Sequence, residues 1–189
     1  DFGDYMKKAV DIMFEAMPKG LSVEEYEELI DVVVKTSLTH TYVYTRQLVQ
    51  TLKHNNYFLI AISGSEKRLV ATLAKALGFD VWVGQVEYLD DGKKLTGEVR
   101  PLGQPKDKIL AAVKQKFELD ERESLAVGDT SSDINILSAV SNPIVFNPNQ
   151  ALFKTAKEKG WMVVIERKDM VYGLTKEGEK YVLSTDNSA

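Results

Sequence analysis

The sequence predicts an α/β protein: a parallel-sheet core from about residue 55, preceded by a helical segment. Three observations carry that expectation. From Tyr57 onward, short unbroken apolar runs alternate with stripes at helical spacing, the pattern of parallel strands joined by crossover helices. Residues 1 to about 50 show helical periodicity only. In Ser124-Leu-Ala-Val-Gly-Asp-Thr-Ser-Ser-Asp133, an apolar run stops at Gly128 and a helical stripe restarts at Ile134 and Leu137. Two carboxylates, Asp129 and Asp133, thus sit where a strand ends and a helix begins, the place where open α/β sheets keep their ligands.

In chain order, Met6, Val10, Met13 and Met17 share a helical face that Pro18-Lys19-Gly20 terminates. Ser22 and Glu25 have the capping-box spacing, and Tyr26, Leu29, Ile30, Val33 and Val34 form the next stripe. A further helix is expected from Tyr42 to Lys53. His40 and His54 are isolated, which suits packing or surface roles rather than metal binding. Tyr57 to Ile62 reads as a buried strand ended by Ser63-Gly-Ser65, and Leu69, Val70, Leu73 and Leu77 as the following helix, closed by Gly78. A strand is expected near Val81 to Val83. A hairpin is expected around Asp90-Asp-Gly92, and a helix on Ile109, Leu110, Val113 and Phe117. Ile144 to Phe146 reads as a strand, Ala151 to Lys159 as a helix, and Trp161 to Ile165 as one more strand. The expected division is 1–54 helical, 55–183 α/β, and 184–189 a frayed tail.

Composition excludes several classes. Net charge is −4, from 24 basic and 28 acidic residues, so nucleic acid is not expected as a partner. No apolar run approaches the length of a membrane span, so no membrane partner is expected either. Cysteine is absent, which excludes disulfide and thiolate chemistry and fits a reducing, cytoplasmic setting. An apolar fraction of 44% is that of a folded protein rather than a disordered one. Nothing in the sequence signals an oligomeric state.

Three polar clusters fall at corresponding strand-to-helix positions. Ser63-Gly64 offers a hydroxyl and backbone amides to an anion at a helix N-terminus. Lys106 opens a helix, where a cation opposes the dipole and so invites a functional reading over a solvated one. Asp129 and Asp133 either cap their helix or hold a hard cation such as Mg²⁺, which takes one or two carboxylates with water and phosphate oxygens. Hydroxyl, lysine and carboxylate pair together describe a Mg²⁺-assisted phosphate site.

In this order, Ile-Ser63-Gly-Ser, Lys106-Asp-Lys-Ile-Leu and Val-Gly-Asp129-Thr-Ser-Ser-Asp133 resemble motifs II, III and IV of the haloacid-dehalogenase superfamily. More narrowly they resemble its phosphoserine-phosphatase-like hydrolases, which carry a small helical cap on a Rossmann-like sheet. Leu77-Gly78, the hairpin Asp91-Gly-Lys-Lys-Leu-Thr-Gly-Glu98 and Asn147-Pro-Asn-Gln-Ala-Leu152 add to the likeness, which covers Tyr57 to Ile165. The resemblance implies that residues 1–54 are the cap. It implies that Ser63 and the Gly64 amide hold phosphoryl oxygens, that Lys106 neutralises the charge of phosphate and nucleophile, and that Asp129 binds Mg²⁺. Asp133 would hold a metal-bound water or orient Lys106. Ser132 stands where many such proteins have Asn.

The substrate implied is a small phosphorylated metabolite. The family's nucleophile and general acid, an Asp-x-Asp ending an apolar central strand, have no match in Asp1-Phe-Gly-Asp4. They are expected upstream of residue 1, which would leave this chain inactive by itself. The alternatives are a binding or regulatory protein of the same fold without turnover, and a receiver-type domain phosphorylated on Asp129.

Overall fold

The computed structural model describes residues 19–167 and 170–183. The helix expected on Met6 to Met17 and the tail 184–189 lie outside them. In chain order the elements are α1 (Val23–Thr39), α2 (Val43–His54), β1 (Ile60–Glu66), α3 (Lys67–Leu77), β2 (Val81–Asp90), β3 (Leu95–Pro101) and α4 (Lys106–Phe117). There follow β4 (Leu125–Gly128), a 3₁₀ turn (Ser131–Asp133), α5 (Ile134–Ser138), β5 (Asn142–Phe146), α6 (Gln150–Lys159), β6 (Met162–Arg167), β7 (Met170–Glu177) and β8 (Lys180–Leu183). The fold is mixed α/β with parallel strands at its heart. No helix among the described residues is long and apolar enough to cross a membrane.

The described residues form two compact units, one within 19–40 and 59–103, the other within 41–58 and 104–183. In the first, a three-stranded sheet has the order β1-β2-β3, with β1 parallel and β3 antiparallel to β2. Helix α1 starts in the expected capping box: Glu25 N donates to Ser22 Oγ at 3.1 Å, and Ser22 N to Glu25 Oε2 at 2.9 Å. Its buried face is narrower than the sequence stripe. Ile30 and Val34 are buried, but Leu29 and Val33 are exposed. Glu66 is buried and caps α3, accepting from Arg68 N at 2.8 Å and Leu69 N at 2.9 Å. Gly84 lets β2 abut that helix start, since a Cβ there would fall 2.5 Å from Lys67 Cα.

The second unit holds a five-stranded sheet in the order β4-β5-β6-β7-β8, parallel through β6 and antiparallel beyond. Leu137, Val145, Leu152, Ala156 and Val163 are fully buried between this sheet and helices α5 and α6. Burying each large side chain contributes about 1.5–3 kcal/mol. Strands β7 and β8 extend the sheet beyond the strand expected at Trp161 to Ile165. They lack a fully buried position, so their apolar pattern is weak.

The contacts divide the chain otherwise than at residue 54. Helix α2 groups with the five-stranded sheet, because the buried Glu166 carboxylate accepts from Val43 N at 2.8 Å and Tyr44 N at 2.9 Å. The Tyr44 ring also stacks on Phe146 at 5.8 Å. Among the described residues each sheet has a parallel strand at one edge, β1 in the first unit and the apolar β4 in the second.

Candidate active site

Strand β4 is apolar until Gly128, after which the backbone turns through Asp129 and Thr130 into the 3₁₀ turn and α5. The turn closes on the Asp133 side chain. Its Oδ2 accepts from Asp129 N and Thr130 N, each at 3.1 Å, and from Thr130 Oγ1 at 3.2 Å. Its Oδ1 accepts from Lys106 Nζ at 2.6 Å. Asp133 is buried, so its four donors replace lost water and tie the start of α4 to the end of β4. Gly128 permits this. A Cβ there would lie 2.5 Å from Asp133 Cβ and 2.9 Å from its Cγ. Gly128→Ala should therefore cost about 1–3 kcal/mol by overpacking a tight site, read as a lowered Tm.

The two acids differ electrostatically. Burial alone would raise the Asp133 carboxyl, but the Lys106 ammonium and the Thr130 and Asp129 amides outweigh it and hold the group below its ordinary value. Asp129 is shifted the other way, first by burial of its carboxylate and then by the neighbouring Asp133 charge. The residue as a whole is nevertheless exposed. An accessible carboxylate beside a second negative charge is suited to a cation. Its backbone is held on both sides, since Asp129 N donates to Asp133 and Asp129 O accepts from Asn149 N at 2.9 Å. Among the described residues no group of three or more His, Asp or Glu side chains gathers as a metal site. Any hard cation here would rest on one or two carboxylates and draw its other ligands from water or substrate.

Ser63 and Gly64 belong to the other unit. The β1–β2 register shifts between Ser63 and Glu66, so Gly64 and Ser65 stand outside the regular ladder. Ser65 N donates to Ser63 Oγ at 3.2 Å, and Gly64 is exposed with nothing within 4 Å of where a Cβ would project. This bulge just ahead of α3 presents a hydroxyl and an unobstructed backbone, with room for an anion.

Of the residues expected from the sequence, the structure joins Lys106, Asp129 and Asp133 in one hydrogen-bonded cluster with Thr130. Asp133 spends both oxygens on Lys106 and the turn, which favours the orienting one of its two expected roles. Sequence reasoning did not give Gly128 its steric role, nor Asn149 its hold on Asp129. The signals were the Gly-Asp junction itself and the Asn-Pro-Asn turn.

Comparison with known proteins places these features in context. The family model described as haloacid dehalogenase-like hydrolase matches residues 1–138. A probable phosphoserine phosphatase of Schizosaccharomyces pombe is 25% identical over 191 residues, covering 99% of this chain and 60% of that protein. A phosphoserine phosphatase of Wolinella succinogenes is 25% identical over 128 residues, covering 66% of this chain and 59% of its own. The chain thus spans about 60% of the length of these curated relatives. A phosphoserine phosphatase solved as a phospho-aspartyl intermediate analogue shares the fold, with a TM-score of 0.57 at 22% identity over 80% of this chain and 68% of that one.

Proposed function

Because the chain belongs to the haloacid dehalogenase-like hydrolase family, we propose that it is the phosphate- and metal-binding part of a Mg²⁺-dependent phosphomonoester hydrolase. The observation that carries this reading is the Lys106–Asp133–Asp129 cluster at the end of β4. Its donor set fits a hard cation: an exposed carboxylate, Asp129, raised by burial and by its neighbour's charge. When bound, Mg²⁺ would neutralise charge on the transferring phosphoryl group.

Asp129 would hold the metal, and Lys106, aimed by Asp133, would bind phosphoryl oxygens. By the resemblance of their motif, Ser63 Oγ and the Gly64 amide, in the other unit, would be phosphoryl-binding groups. The phosphoryl acceptor in this reading is an aspartate carboxylate on a strand upstream of residue 1, paired to the open apolar edge of β4. Its oxygen attacks phosphorus, and the P–O bond to the substrate breaks. The leaving alkoxide takes a proton from a second carboxylic acid of the same strand, and water then cleaves the aspartyl-phosphate to phosphate. The loose transition state asks the protein for positioning and charge neutralisation, which the cluster supplies. Phosphoserine phosphatases among the relatives support a small phosphorylated metabolite as substrate. The helical segment ahead of α2 would serve as the cap that selects it, α2 itself packing with the five-stranded sheet.

The direct test is a phosphomonoester panel with and without Mg²⁺, using a chain extended upstream through its Asp-x-Asp strand, beside its Asp129→Asn variant. Mg²⁺-dependent turnover is expected, with the apparent Mg²⁺ constant raised at least about tenfold in the variant. Wild-type activity and metal affinity in Asp129→Asn would remove Asp129 from the metal site.

Acid should disable the site in two stages. Asp129, raised, must be ionised to bind a cation, so affinity should fall on acidification at a higher pH than for an ordinary aspartate. Asp133 is depressed, so the stability of its ion pair is present above the unfolded carboxylate value. That stability is lost only as pH falls through the lower folded value. Metal titrations from about pH 7 to about pH 4, beside acid unfolding followed by circular dichroism, should show binding lost first. Simultaneous loss would contradict the opposite shifts.

A further inference from the structure

We propose that Asn147 is a positioning residue of the metal site, and that with Glu166 it latches the Asp129 turn to the N-terminus of α2. This rests on the reading of Asp129 as the metal ligand. Asn147 is one of three described non-glycine residues with positive φ, at 43°. Two hydrogen bonds hold it there. Its N–H donates to Val164 O at 2.9 Å, and its Oδ1 accepts from Glu166 N at 2.9 Å.

Two residues on, Asn149 N donates to Asp129 O at 2.9 Å, while Asn149 Oδ1 caps α6 through Leu152 N at 2.9 Å. Pro148 lies between them and fixes its own φ, so the Asn147 conformation sets where the Asn149 amide points. On the other side, the Glu166 carboxylate accepts from both first amides of α2. The Tyr42 and Tyr44 rings pack on Phe146, the residue before Asn147, at 4.9 and 5.8 Å. Hydrogen bonds and ring contacts therefore run from α2 through Glu166 to Asn147, and the Asn147-Pro148-Asn149 backbone carries the connection on to the Asp129 carbonyl, all within one unit. A purely structural turn would not need to end on the backbone of the one exposed carboxylate beside Asp133. Outer partners of metal ligands act in this way, by fixing the ligand's orientation.

The test is Mn²⁺ binding, followed as loss of the free-ion EPR signal, by the protein and by Asn147→Ala, Asn147→Gly, Asn147→Asp and Asp129→Asn. Asn147→Gly keeps the positive φ without strain and guards against an alanine variant that fails to fold. Asn147→Asp keeps an acceptor for Glu166 N. Asn147→Gly and any folded Asn147→Ala should bind about tenfold more weakly, and Asn147→Asp should restore affinity to within about twofold. A residue with only a structural role would lower Tm and leave Mn²⁺ affinity unchanged. Wild-type affinity in Asn147→Gly together with weakened binding in Asp129→Asn would overturn the latch and leave the metal site standing. Wild-type affinity in Asp129→Asn as well would overturn the metal reading and the latch with it.

Discussion

Lys106→Ala, in a chain that carries the upstream nucleophile strand, should lose about 10²–10³-fold in kcat/KM, the range for removing one charged or hydrogen-bonding stabiliser of a transition state. Lys108→Ala should stay within about twofold of wild type, because Lys108 is exposed on α4 and lies outside the cluster. The difference is one of placement rather than charge. Lys106 Nζ sits 2.6 Å from Asp133 Oδ1, with a side chain only 20% exposed, at the very start of α4. A cation at a helix N-terminus opposes the dipole, so the sequence keeps it there against a local cost that Asp133 offsets. Its removal also leaves Asp133 buried with amide and hydroxyl donors but no counter-charge. Some loss of Tm is therefore expected, and circular dichroism separates it from the kinetic loss. Equal, small losses in the two variants would show that Lys106 does not face the phosphoryl group.

The parts of the site legible in the sequence are those whose partners are local. Gly128, Asp129, Thr130 and Asp133 lie within six residues, and their hydrogen bonds span three or four positions, so a strand-turn-helix pattern already contains the geometry. The Ser22–Glu25 box and the strand-helix alternation were legible for the same reason. The pairing of Glu166 with Val43 and Tyr44 spans 123 and 122 residues, and no periodicity signals it. That pairing is why α2 joins the five-stranded sheet rather than α1. The α1 stripe misled in a different way. Leu29 and Val33 match a buried helical face in spacing, but the elements packed on α1 among the described residues cover Ile30 and Val34 instead. Strands β7 and β8 escaped because a half-covered hairpin needs little hydrophobic alternation.

The most direct measurement is phosphatase turnover, with Mg²⁺, of residues 1–189 beside the same chain extended upstream through an Asp-x-Asp strand. In the described residues β4 is an apolar parallel edge, with Val127 39% exposed, and the Lys106–Asp133–Asp129 cluster lies at its end. Water attacking phosphorus directly would lack the covalent step, and uncatalysed phosphate-monoester hydrolysis is among the slowest reactions known. The 1–189 chain is therefore expected to show no turnover above buffer, while the extended chain should turn over on the order of 1–10³ s⁻¹ on its preferred ester. Comparable turnover by both would place the nucleophile within residues 1–189, and silence of both would make the fold a binding module. Either result would contradict a phosphatase completed by a strand on the β4 edge.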